Sequence, residues 1–215
     1  MDVYTETIIN IISFFGIISF AVSGAMAAIS KRTDFFGVTV LAVVTASGGG
    51  IIRDILLGTL PPKIFLSPDY LFLASSCAAS VFIFAHLFKD FYCSHTNLID
   101  CINNIFDALG LGVFVVAVAQ SAIDCGFQQN CFLVIFIGMI TGIGGGFLRD
   151  IMICEIPFIL TKRIYALAAL FGALIFYILY IRCFHYAYSV FFGAIYNFAV
   201  RMLATYFHWD LPQAY

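Results

Sequence analysis

The chain has 215 residues, of which 63% are hydrophobic and 10% charged, with a formal net charge of −2. Soluble domains are nearer half apolar and a quarter charged, so an ordinary soluble domain is excluded. The ten Lys and Arg are scattered rather than gathered into a basic patch, which argues against a nucleic-acid partner.

About 20 apolar residues cross a bilayer core, and seven stretches meet that length. Thr7 to Ser30 carries no charge, and its small residues Ala21, Gly24, Ala25 and Ala28 permit close helix approach. After a short loop with Lys31, Arg32 and Asp34, a second span runs from about Phe35 to Leu60. Pro61-Pro62 stop it, because proline has no N–H to donate. The third covers about Tyr70 to Phe88, and a polar connection from Lys89 to Asn97 follows. The fourth, about Leu98 to Ile123, begins with Asp100, Asn103, Asn104 and Asp107 on one helical face. That face reads either as an interfacial end or, at Asp107, as a functional acid deep in the span. The fifth covers about Cys125 to Ile153, with Pro157 beyond it, and the sixth about Ile164 to Ile181. The seventh, about Cys183 to Thr205, carries Ser189, Gly193, Asn197 and Arg201 in steps of four, a stripe suited to helix packing.

Two blocks stand out. Residues 45–62 read TASGGGIIRDILLGTLPP and residues 141–157 read TGIGGGFLRDIMICEIP. Each holds a Gly triplet (Gly48, Gly49, Gly50; Gly144, Gly145, Gly146), then an Arg-Asp pair (Arg53, Asp54; Arg149, Asp150), then a proline. A helix loses about 1 kcal/mol per Gly relative to Ala, so the ladder is expected to weaken there. Charges within an apolar span are costly and point to a working site.

Equivalent positions of the two blocks lie 96 residues apart. Spans one to three therefore repeat as four to six, with the seventh left over. An odd number of spans per unit inverts the second unit, the plan of many transporters and channels. The expected fold is all-α: one membrane domain over 1–215, with repeats at about 5–90 and 97–181 and a seventh helix at about 183–205. Counting basic residues in the loops puts Lys31, Arg32, Lys89, Lys162, Arg163 and Arg201 on one side and Lys63 and Arg182 on the other. This bias predicts an outside N-terminus and an inside C-terminus.

Carbonyls exposed at Gly breaks can replace part of a cation's water shell. Thr45, Ser47 and Thr141 add hydroxyls beside them. Adjacent helix residues point to different faces, so the twofold relation predicts cross pairs, Arg53 with Asp150 and Arg149 with Asp54. Asp107 is then the spare acid, favouring cations. The plainer alternative makes the Arg-Asp groups a structural clamp and the glycines packing notches. The seven cysteines form no CxxC pair or metal-spaced cluster, so no disulfide, metal or cofactor is assigned. No protease, esterase or other catalytic motif is present to suggest an enzyme.

The doubled SGGGxxRD and GGGxxRD blocks, each followed by a proline turn, resemble the bacterial branch of the trimeric intracellular cation channel family. The same sequences are also grouped under a glycine transporter domain. The resemblance implies a homotrimer in a bacterial inner membrane. Each protomer would hold its own pore, shaped by Gly-broken second and fifth helices and passing potassium or sodium. The carried-over positions are the six triplet glycines with Arg53, Asp54, Arg149 and Asp150. The alternative function is a secondary transporter of a small amino acid such as glycine.

Overall fold

The computed structural model describes residues 3–161, 164–182, 186–207 and 209. Lys162, Arg163 and Cys183, used above for topology and span limits, lie outside the described residues. Among the described residues seven long helices are present: α1 Val3–Ser30, α2 Phe35–Leu56, α3 Asp69–Leu87, α4 Thr96–Ala122, α5 Cys131–Met152, α6 Ile164–Ile181 and α7 Tyr186–Tyr206. All seven are long and apolar enough to cross a membrane. Their outer faces remain apolar: Phe36, Phe72 and Phe132 are each more than 70% exposed. Lipid is the medium in which such a surface is stable, since every backbone polar group is satisfied within the helix.

Local chemistry sets the helix ends. Asp34 caps α2 through the Gly37 amide at 2.7 Å, and Asn130 caps α5 through the Leu133 amide at 3.1 Å. The second span stops at Leu56, earlier than the proline pair suggested. Gly58 takes a positive φ of 71° there, and the Thr59 amide donates to the Asp54 carbonyl at 2.9 Å. Its counterpart α5 ends the same way, with Cys154 at φ 57° and the Glu155 amide on the Asp150 carbonyl at 2.9 Å. The fifth helix also starts later than expected, at Cys131. A wide turn at Ile123–Phe127, with Gly126 at φ 90°, separates it from α4.

Helices α1, α2, α4 and α5 form the centre, with α3 and α6 against its flanks. Packing recurs between the halves: α1 meets α2 and α3 as α4 meets α5 and α6. Central contacts come in reciprocal pairs. A Cβ on Gly16 would press on the Phe114 ring, and one on Gly110 would press on Phe20. Those two rings stack at 5.3 Å. A Cβ on Gly49 would overlap the Thr141 carbonyl, and one on Gly145 the Thr45 carbonyl. In both pairs residue numbers rise along one helix as they fall along the other, so each helix crosses its mate antiparallel. This is the relation expected of an inverted repeat. Helix α7 has no mate and packs on α4 and α6.

The triplets do not break the helices. Both α2 and α5 run as α-helix through all six glycines. Unsatisfied backbone groups cost several kcal/mol each in hydrocarbon, more than the weak helix preference of glycine removes. The missing side chains serve contact instead, letting the two backbones approach where Thr45 and Thr141 cross Gly145 and Gly49.

Candidate functional site

Beyond the crossing, α2 and α5 diverge towards opposite ends of the bundle, each carrying one Arg-Asp pair. Arg53 lies about six residues past the α2 crossing and Arg149 the same distance past that of α5. At 1.5 Å per residue this separates them by about 18 Å along the axis. Cross-repeat pairing is therefore out of reach, and the expectation of Arg53 with Asp150 and Arg149 with Asp54 is corrected. Each arginine folds back on its own neighbour: Arg53 Nε donates to Asp54 Oδ1 at 2.7 Å, and Arg149 Nε to Asp150 Oδ1 at 2.9 Å. The long guanidinium stem spans the angle between successive helix positions. Each aspartate then anchors the next segment. Asp54 Oδ2 accepts from the Lys63 amide at 2.8 Å, and Asp150 Oδ2 from the Phe158 amide at 2.9 Å.

Asp107 is not a spare acid. Its Oδ1 accepts from Arg149 Nη1 at 2.8 Å, and its Oδ2 from Arg201 Nη2 at 2.7 Å. All three side chains are at least 96% buried. Arg149 also donates to Ser23 Oγ at 2.6 Å and lies over the Phe158 ring at 5.5 Å. Arg201 stacks on Tyr165 at 4.1 Å and donates to Asn104 Oδ1 at 3.3 Å. One carboxylate thus ties α4 to α5 and α7, and Ser23 brings in α1. Such a group stabilises only because its charges are paired and hydrogen-bonded. Arg201, counted above among inside basic residues, is buried within α7; without it the bias falls to five against two.

The remaining predicted residues divide. Thr45 Oγ1 donates back to the Leu41 carbonyl at 2.6 Å, and Ser47 Oγ to that of Val43 at 2.6 Å. Thr141 Oγ1 is buried without a hydrogen-bond partner among the described residues. Gly48 and Gly144 meet the apolar side chains of Leu148 and Ile52, whereas Gly146 faces Tyr165 and Asp107. Gly50 faces open space.

That space belongs to a cavity of about 150 Å³ between the N-terminal half of α1 and the C-terminal halves of α2 and α4. Ser13, Ser47, Gly50, Arg53, Asp54 and Lys63 are on its wall. A second cavity of about 500 Å³ opens at the other end, where Asp100, Asn103, Asn104, Arg149 and Asp150 line it. No lining residue is shared. The Gly-Thr crossing and the Phe20-Phe114 stack lie between them, so two polar recesses approach a closed middle from opposite ends. Sequence reasoning missed Ser23, Tyr165 and the inward role of Arg201. The only available signal was that a third arginine within a span needs an acid.

A family model described as Glycine transporter matches residues 10–86 and 104–181, one segment on each three-helix unit. The chain is 33% identical over 199 residues to the inner membrane protein YadS of Escherichia coli, covering 90% of this chain and 89% of YadS. A prokaryotic TRIC channel crystallised in 0.5 M KCl is similar with a TM-score of 0.85 at 37% identity, over 96% of this chain and 100% of that one. The TRIC trimeric intracellular cation channel orthologue from Rhodobacter sphaeroides gives 0.84 at 32% identity, over 94% and 100%. By both sequence and fold, the chain is a multi-pass membrane protein belonging to the prokaryotic TRIC channel family, the family also described as Glycine transporter.

Proposed function

We propose that the protein is a monovalent cation channel, passing potassium or sodium, with a pore inside each protomer. The observation that carries this reading is the pair of polar recesses facing one another across the α2–α5 crossing. The TRIC channels similar to this chain support it. Ions enter either recess with part of their water shell. They pass when the crossing at Thr45, Gly49, Thr141 and Gly145 separates, exposing helix carbonyls and the two threonine hydroxyls. The conformation described here is the shut one. Ser47 and Gly50 line the path at one end, and Asp107 with the Arg149-Asp150 pair borders it at the other. Gly48, Gly144 and Gly146 keep the two helices close enough for a small separation to open it.

The assembly is a homotrimer in a bacterial inner membrane, with the N-terminus outside, the C-terminus inside and no catalytic role. The direct test is potassium flux into liposomes containing the purified protein. Passage down the gradient, without added substrate, is the expected result. The family description Glycine transporter favours a second reading, in which the two recesses alternate around a small amino acid. Saturable glycine uptake driven by a proton or sodium gradient, with no potassium leak, would establish that reading and reject the channel.

A further inference from the structure

The two halves superimpose their contacts but not their charges. Reciprocal packing of Gly16 on Phe114 and Gly110 on Phe20 pairs positions of α1 with those 94 residues later in α4. By that register Asp107 corresponds to Ser13, and Ser23 to Ala117. The amide that caps Asp150 belongs to Phe158, whereas the one that caps Asp54 belongs to Lys63. Arg149 therefore sits among two carboxylates, a hydroxyl and an aromatic ring. Its mate Arg53 has one carboxylate and shares the cavity wall with Ser13 and Ala117. The Nε of Arg53 is bonded to Asp54, and its side chain is 17% exposed, against 2% for Arg149.

We propose that this cavity is an oxyanion site, in which a carboxylate or phosphate group takes the place beside Arg53 that Asp107 takes beside Arg149. The planar guanidinium presents parallel N–H donors that match such a group. Ser13 supplies a hydroxyl. At about 30 Å³ per water, a volume of 150 Å³ accommodates about five waters or one small oxyanion.

The test uses the full chain in detergent and measures its thermal unfolding midpoint. Sodium acetate, sodium phosphate and sodium chloride are compared at equal ionic strength. A further arm compares phosphatidylcholine vesicles with and without phosphatidic acid. Acetate or phosphate should raise the midpoint saturably, and chloride should not. Arg53→Gln should weaken that response about tenfold or more, as loss of a charge-assisted hydrogen bond does. Ser13→Asp should raise the midpoint without added anion and abolish the response, because the chain then carries its own carboxylate. A response to phosphatidic acid alone, lost in both variants, places the oxyanion on a lipid headgroup and still supports the site. An equal effect of chloride, no response in any arm, or a response that survives Ser13→Asp overturns it. Binding is read without ion flux, so this site and the channel reading stand or fall separately.

Discussion

At Asp107 a single buried carboxylate answers two guanidiniums, and its neutral isostere tests how much of the bundle depends on it. Asp107→Asn leaves Arg149 short of one acid and Arg201 with only Asn104 and the Tyr165 ring. Removing one partner of a buried ion pair costs about 3–5 kcal/mol. Chemical unfolding in detergent should register a loss of that size. Arg53→Gln removes a pair whose arginine is 17% exposed and leaves Asp54 its Lys63 amide, so a smaller loss of about 1–3 kcal/mol is expected from the same measurement. Arg149→Lys should resemble the larger loss. A lysine is a point charge and cannot serve Ser23, Asp107 and Asp150 together.

Between helices, the glycines of one triplet should respond with opposite sign. A methyl on Gly49 runs into the Thr141 carbonyl, which belongs to a helix backbone and cannot swing aside. Gly49→Ala is expected to force α2 and α5 apart, at a cost of about 1–3 kcal/mol or more. On the channel reading, it also raises resting potassium flux in liposomes. Gly50→Ala adds a methyl in open space and should stabilise by up to about 1 kcal/mol through helix propensity. Equal thermal shifts for the two variants would contradict the packing described. The unpaired helix α7 fits a notch in α6. A Cβ on Gly172 would overlap the Asn197 side chain, so Gly172→Ala should loosen α7 and lower the unfolding midpoint.

For the whole molecule, the testable property is its sidedness. In a cysteine-free background, Lys63→Cys should react with a membrane-impermeant maleimide added to intact cells, while Lys89→Cys should react only after permeabilisation. The reverse pattern would invert the topology while leaving the inverted repeat intact. Antiparallel units give each end of the bundle a related wall, and the two walls differ where Asp107 and Phe158 replace Ser13 and Lys63. The seventh helix adds to that difference, because Arg201 reaches only the second unit.

The number of spans, their approximate limits and the repeat were legible in the chain itself. Bilayer thickness sets the length of an apolar run, and the 96-residue echo survives as matched letters. That the Arg-Asp pairs sit inside spans was legible too, whereas Asp107 read as a spare acid and is instead paired with Arg149 and Arg201. Which partners these charges take was not legible. That depends on the antiparallel crossing of α2 and α5, which carries Arg53 and Arg149 to opposite ends and leaves each beside its own aspartate. The intact helices through Gly48–Gly50 and Gly144–Gly146 were likewise hidden, because local propensity favours a break. Only tertiary contact decided otherwise: hydrocarbon penalises an open backbone, and the facing threonine carbonyls occupy the space the missing side chains leave.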